Sequence, residues 1–203
     1  MTSIESVTLE VADPTAASDF YTTAFGLDTQ LNLRATQEPT TGFRGYQLSL
    51  VVSQPSSVDA LFGPALDAGA TALKPASKSL WGYGGTLQAP DGAIWKVATS
   101  KKKNSGPASR KIDQFVLLLG AEDVGASKQF YIDHGLTVTR SFGRKYVEFA
   151  AESSPVKLVL YDRRALAKDA GVSPDGTGSH RLMIGSDGEA FTDPDGFAWE
   201  AAH

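Results

Sequence analysis

Two signatures occur twice, in the same order, and this repetition constrains the fold more than any other feature of the chain. Phe20-Tyr21, late in a helical pattern, is answered by Phe130-Tyr131. Pro90-Asp91-Gly92-Ala93-Ile94-Trp95-Lys96 is answered by Pro194-Asp195-Gly196-Phe197-Ala198-Trp199-Glu200. Each copy opens on an alternating strand and ends on a Pro-Asp-Gly turn that feeds another strand. This is the mark of an internal duplication, and it makes differences between the copies readable. The sharpest difference closes the second signature, which ends in Lys96 in one copy and Glu200 in the other.

Local patterning fills in the elements. Val7, Leu9 and Val11 alternate with Ser6, Thr8 and Glu10, which predicts a half-buried strand. Asp13-Pro14 then supplies a cap and a first-turn proline, and Gly26 a stop, around a helix that buries Ala17, Phe20, Tyr21, Ala24 and Phe25. The second copy repeats this: Phe115, Leu117 and Leu119 on a strand, Asp123 as cap, Val124, Ser127, Phe130 and Tyr131 on one helical face, Gly135 as stop. Further strands are predicted at Thr29 to Ala35, Tyr46 to Ser53, Leu136 to Phe142, Arg144 to Ala150 and Val156 to Tyr161. Helices are predicted at Ser57 to Ala68 and Arg163 to Ala170. Trp81-Gly82-Tyr83-Gly84-Gly85 reads as a glycine-rich loop before the last two strands of the first copy, and about two strands are expected after His180.

The stretch Lys101 to Arg110 is polar and poor in apolar residues, a linker composition. The expected organisation is one module over residues 1–100, a linker over 101–110 and a second module over 111–203. The interior lengths are complementary. Phe20 to Gln47 is short where Phe130 to His180 is long, and the remainders reverse. The copies are therefore expected to pack closely rather than to form independent beads.

Composition excludes several classes. The net charge of −4 gives no basic footprint for nucleic acid. No apolar run is long enough for a membrane span, and no signal peptide is visible, so a cytoplasmic protein is expected. With no cysteine, disulfides, thiolate nucleophiles and cysteine-ligated metals are excluded. His134, at a helix end, is expected to cap, and Asp193 and Asp195 to build a turn.

The ordered combination of Ser6 to Asp13, Phe20-Tyr21, Gly26-Leu27, Gly69-Ala70, Trp81-Gly82 and Pro90 to Lys96 resembles the vicinal oxygen chelate superfamily. Ile112 to Phe115, Phe130-Tyr131, Gly135-Leu136 and Asp193 to Glu200 continue the resemblance in the second copy. This superfamily includes glyoxalase I, bleomycin-resistance proteins and extradiol dioxygenases. The resemblance spans nearly the whole chain. It implies an α+β fold of paired βαβββ-type modules, with curled mixed sheets around an open cleft. It also implies a divalent metal held by cleft-facing residues in the family's enzymes.

Alternation places Ser6, Gln47 and Lys96 at such positions in the first copy, and Gln114, Val159 and Glu200 in the second. A lysine repels a cation and a valine donates nothing. Gln114, His180 and Glu200 form the alternative donor set for a divalent metal. If the terminal strands approach, Lys96 instead pairs with Glu200. Val116 and Leu118 share the face of Gln114, so this strand is expected to be buried on both sides. Tyr146 and Glu148 should share a cleft face, with Tyr161 and Lys157 flanking Val159. Trp81 and Tyr83 are expected on a lid, and Trp95 and Trp199 in the core near Phe20 and Phe130. The expected ligand-binding residues are thus Gln47, Trp81, Tyr83, Lys96, Gln114, Val116, Leu118, Tyr146, Val159 and Glu200.

Two functions are carried forward. One is a metal-independent small-molecule binding protein, needing no cofactor and holding an amphipathic or aromatic ligand in the cleft. The alternative is a divalent-metal-dependent lyase, isomerase or dioxygenase. A fold serving mainly as an oligomer interface, such as a homodimer, is a third expectation.

Overall fold

The structure, a computed structural model, describes residues 2–27, 31–152 and 154–202. The first copy contains β1 (Ile4–Val11), α1 (Pro14–Phe25), β2 (Leu31–Ala35), β3 (Thr40–Gly42), β4 (Tyr46–Val51), α2 (Pro55–Asp67), β5 (Thr71–Ser79), β6 (Gly82–Gln88) and β7 (Ile94–Thr99). The second contains β8 (Gln114–Ala121), α3 (Val124–Asp133), β9 (Val138–Phe142), β10 (Tyr146–Phe149), β11 (Val156–Asp162), α4 (Arg163–Ala170), β12 (Gly176–Gly178), β13 (Leu182–Ser186), β14 (Phe191–Thr192) and β15 (Ala198–Ala201).

The helices begin and end where local chemistry requires. The Asp13 carboxylate accepts from the Ala16 amide at 3.0 Å, and Gly26 closes α1 in the left-handed region at φ 69°. Asp123 caps α3 through Gly125 and Ala126, and Asp162 caps α4 through Ala165. Three sequence expectations need correction. Residues 71–79 form a strand that was not foreseen. The Trp81 to Gly85 stretch is the turn and start of β6 rather than a loop. Three strands, not two, follow His180. The glycines of β6 reflect close backbone packing: a Cβ on Gly84 would lie 2.7 Å from the Val97 carbonyl, and one on Gly85 2.8 Å from the Ala76 nitrogen. Of the strand expected at Thr29 to Ala35, Leu31–Ala35 is formed, and Thr29 and Gln30 lie outside the described residues.

The fold is α+β, built from paired βαβββ-type modules. One eight-stranded sheet has the order β5-β6-β7-β4-β8-β11-β10-β9. β4, α2, β5, β6 and β7 make one full unit, and β8, α3, β9, β10 and β11 make the other. Their first strands pair antiparallel, from Tyr46 with Leu119 to Val51 with Gln114, so the strand order of one unit is repeated in reverse across that seam, as an approximate two-fold rotation requires. A five-stranded sheet, β14-β15-β13-β1-β2, joins the start of the chain to its end. Each sequence copy therefore holds one full unit and one shortened unit, in opposite order. This is the origin of the complementary lengths, and both sheets draw strands from both copies within a single chain.

One face of the eight-stranded sheet packs with α1, α2, α3 and the five-stranded sheet into the main core, where Trp95, Tyr21, Tyr131, Phe149 and Leu48 are fully buried. The duplicated signatures meet here. The Tyr21 hydroxyl donates to Asp91 at 2.6 Å, and the Trp95 indole donates to Tyr21. Tyr131 donates to Asp193 at 2.5 Å, and its ring lies 5.4 Å from that of Trp199. Burial, and after it the facing carboxylate, pushes each phenol well above its ordinary range, so both remain donors. Trp95 and Trp199 are core residues as expected, each against a signature tyrosine.

The segment between the copies is tied down by one side chain. Gln54, 3 % exposed, stands at the N-terminus of α2 but makes no capping bond. Its amide donates to the carbonyls of Gly106 and Pro107 and accepts from the backbone amides of Ser105 and Gly106. Gln54→Ala is expected to lower stability by about 1–3 kcal/mol, since it leaves those groups unpaired. Hydrogen exchange at Ser105 and Gly106 should accelerate while that of β4 stays protected below the global unfolding limit.

Candidate ligand-binding cleft

The other face of the eight-stranded sheet carries the candidate site. Strand register places residues that lie directly opposite one another on a common face. Lys96, Ser49, Val116 and Lys157 form one row across β7, β4, β8 and β11. Gln47, Leu118, Val159 and Glu148 form the next, across β4, β8, β11 and β10. Ala98, Val51 and Gln114 form a third at the open end. Most of the expected ligand-binding residues thus share one floor, apolar along β8 and β11 and polar at its flanks.

The β10–β11 flank is a connected cluster. Glu148 accepts from Lys157 Nζ at 2.8 Å and from the Tyr146 hydroxyl, and the Tyr146 and Tyr161 rings meet edge to face at 5.5 Å. On the opposite flank Lys96 donates to Asp169 of α4 at 2.7 Å, and Lys74 Nζ donates to the carbonyls of Lys168 and Asp169. Beside this pair lies a cavity of about 250 Å³ lined by Lys74, Trp81, Thr86, Lys96, Ala98 and Asp169, among others. α4 itself rests on the cleft face. Leu166, Ala167 and Ala170 cluster with Phe43 and Ile94 and pack against Leu118 and Tyr161.

Other expected residues lie elsewhere. Trp81 is 87 % exposed at the β5–β6 turn, at the cavity mouth. The Tyr83 hydroxyl donates to Asp59 on α2 and so points to the helix side. Glu200 belongs to the five-stranded sheet, where Arg34 donates to both its carboxylate oxygens at 3.0 Å. The expected Lys96–Glu200 pair is therefore not formed, because the two strands belong to different sheets. Sequence reasoning missed Asp169, Lys74 and Arg34. A short helix gives no local sign that it crosses a cleft.

The resemblance drawn from the sequence implies a divalent metal, and the donor chemistry can be tested against it. Gln114 and Glu200 stand on separate sheets. The ring nitrogens of His180 face the carbonyls of Arg44 and Asp195 at 2.6 and 3.1 Å, and its ring stacks on Phe197. On the cleft face Lys96 and Val159 occupy positions where donors would be needed, and Glu148 is engaged by Lys157 and Tyr146. Among the described residues no cluster of three or more histidine, aspartate or glutamate side chains is placed to hold a metal ion. These residues do not fit a divalent cation.

Burial works to raise the pKa of Glu148, but hydrogen bonds from Lys157 and Tyr146 outweigh it and hold the carboxyl below its ordinary value of 4.5. A depressed folded value contributes stability that is present above the unfolded pKa and lost as pH falls through the folded one. Lys157→Met is therefore expected to lower Tm at neutral pH, with the gap to wild type closing below about pH 4.5. Thermal melts across pH 3 to 7 check this.

No protein-family model matches the sequence, and no curated protein sequence matches it. Solved structures do. The chain is similar to glyoxalase I from Zea mays at 15 % identity and a TM-score of 0.62, covering 98 % of this chain and 91 % of that one. It is also similar to a putative dioxygenase from Bacillus subtilis at 13 % identity and a TM-score of 0.58, covering 95 % and 71 %. Together with the two βαβββ units, these likenesses show that the chain has the fold of that glyoxalase I and that putative dioxygenase.

Proposed function

We propose that this protein binds a small amphipathic or aromatic molecule on the cleft face of the eight-stranded sheet, without a metal, in the manner of sequestration rather than turnover. The observation that carries this reading is the cavity of about 250 Å³ on this face, lined by Trp81, Thr86, Lys96 and Ala98 among others, beside an apolar floor in which Val116 and Val159 are buried and Leu118 is packed under α4. An apolar surface with a few fixed polar groups is the usual make-up of a small-molecule site. The misfit of the donor set to a divalent cation supports metal independence.

Metal content of protein purified without chelator or affinity tag is the direct check, followed by a divalent-metal thermal-shift series. Substoichiometric metal and no shift are expected. Near-stoichiometric metal that is lost on Glu200→Ala would overturn the reading in favour of a metalloenzyme.

Ligand binding is tested with N-phenyl-1-naphthylamine, a neutral aromatic probe whose fluorescence rises in apolar surroundings. Ala98→Phe, which adds a ring to the cavity wall, is expected to weaken the probe by about tenfold, or about 1.4 kcal/mol, with Tm unchanged. Trp81 is the natural reporter, because Trp95 and Trp199 are buried in the core. Ligand-induced quenching should vanish in Trp81→Phe.

A further inference from the structure

We infer that α4 is a built-in occupant of the cleft, and that its Asp169 carboxylate holds on Lys96 the place of the anionic group of an organic acid with an apolar body. The inference rests on the ligand-binding reading above and names the ligand's chemical class.

Helix α4 follows the last strand of the second full unit directly. It turns back onto the face that a ligand would use, and its small apolar side chains fill part of the floor. Leu166, Ala167 and Ala170 play the part of the ligand's apolar body, and Asp169 plays the part of its charge.

Charge points the same way. Two lysines, Lys74 and Lys96, line the cavity against the single carboxylate of Asp169. Lys74 is spent on the last carbonyls of α4, where a cation suits the helix dipole. Withdrawal of the helix leaves both ammonium groups without these partners, in a concave site that favours an anion.

A buried polar group beneath the helix gives an independent sign. Gln47 is fully buried on the cleft face beside Leu118, and neither atom of its amide has a hydrogen-bond partner among the described residues. Such a group is costly unless some state of the protein satisfies it. A ligand bearing a carboxylate or sulfonate and a further polar atom would supply that partner once α4 moves aside.

The polar part of the hold on α4 is its weaker part, because Leu166, Ala167 and Ala170 are fully buried and a ligand must replace their contacts. The helix has 8 residues, too few to persist in isolation. The Lys96–Asp169 pair is about a third exposed on each side, at 32 % and 39 %, where solvent screens it.

The test compares 8-anilinonaphthalene-1-sulfonate, an aromatic anion, with neutral N-phenyl-1-naphthylamine. Asp169→Asn is expected to tighten the anionic probe by about tenfold and to leave the neutral one within about twofold. Adding Lys96→Met to Asp169→Asn should abolish the gain. The exchange Lys96→Asp with Asp169→Lys, which restores the ion pair, should melt like wild type and bind the anion no tighter. Equal affinity of the anionic probe for wild type and Asp169→Asn, with both probes binding, overturns the inference and leaves the ligand reading intact. Failure of both probes on every variant removes the ligand reading and the inference with it. If Asp169→Asn does not fold, hydrogen exchange on the wild-type chain decides. The anionic probe should speed exchange at Leu166 to Ala170, and unchanged exchange under saturating probe overturns the proposal.

Discussion

Everything in this molecule is arranged around the antiparallel pairing of β4 with β8. β8 is apolar on both faces and β4 is buried on both, its cleft face carrying Gln47 and Ser49, so each needs cover above and below, and neither can stand at a sheet edge without exposing a row of unpaired backbone groups. Pairing them to each other solves the problem for both at once and fixes the register from Tyr46–Leu119 to Val51–Gln114. The full units then extend outward on either side, and their most polar strands, β5 and β9, become the edges.

The second sheet is held to the first by the duplicated signatures. Tyr21 belongs to the helix of a shortened unit and Asp91 to the turn of a full one. Tyr131 belongs to a full unit and Asp193 to a shortened one. Each bond therefore spans the two layers, and a hydrogen bond to a charged acceptor contributes about 1.5–3 kcal/mol. Asp195 adds a second tie, accepting from the Ser127 hydroxyl at 2.6 Å and the Glu122 amide at 2.8 Å. What reads along the chain as a repeated motif is in space a pair of latches between layers.

This explains what could be read from the sequence. The capped helices and α4 were legible because they rest on local rules: Asp before Pro, glycine after an apolar face, alternation along a strand; the fold class came from the family resemblance. The cleft floor was legible too, since the period of two places Gln47, Lys96, Gln114, Val116 and Val159 on one side whatever the partner strand. The pairing of distant strands was not. Lys96 and Glu200 end equivalent signatures but lie on different sheets, because each copy contributes a full unit to one sheet and a shortened unit to the other. The salt bridges of Lys96 with Asp169 and of Arg34 with Glu200 depend on that long-range arrangement, and no spacing along the chain encodes it. Gln54 was equally hidden, since its sequence neighbours show only a helix start.

The two full units part company where each ends. After β7 the chain runs into the segment held by Gln54, whereas after β11, the equivalent strand, it turns into α4 and crosses the floor. The two full units share their strand order but not this element, so the two flanks of the floor meet different partners: Lys96 lies against Asp169 of α4, and Lys157 against Glu148 of its own sheet. A duplicated scaffold thus carries a face that is not symmetric.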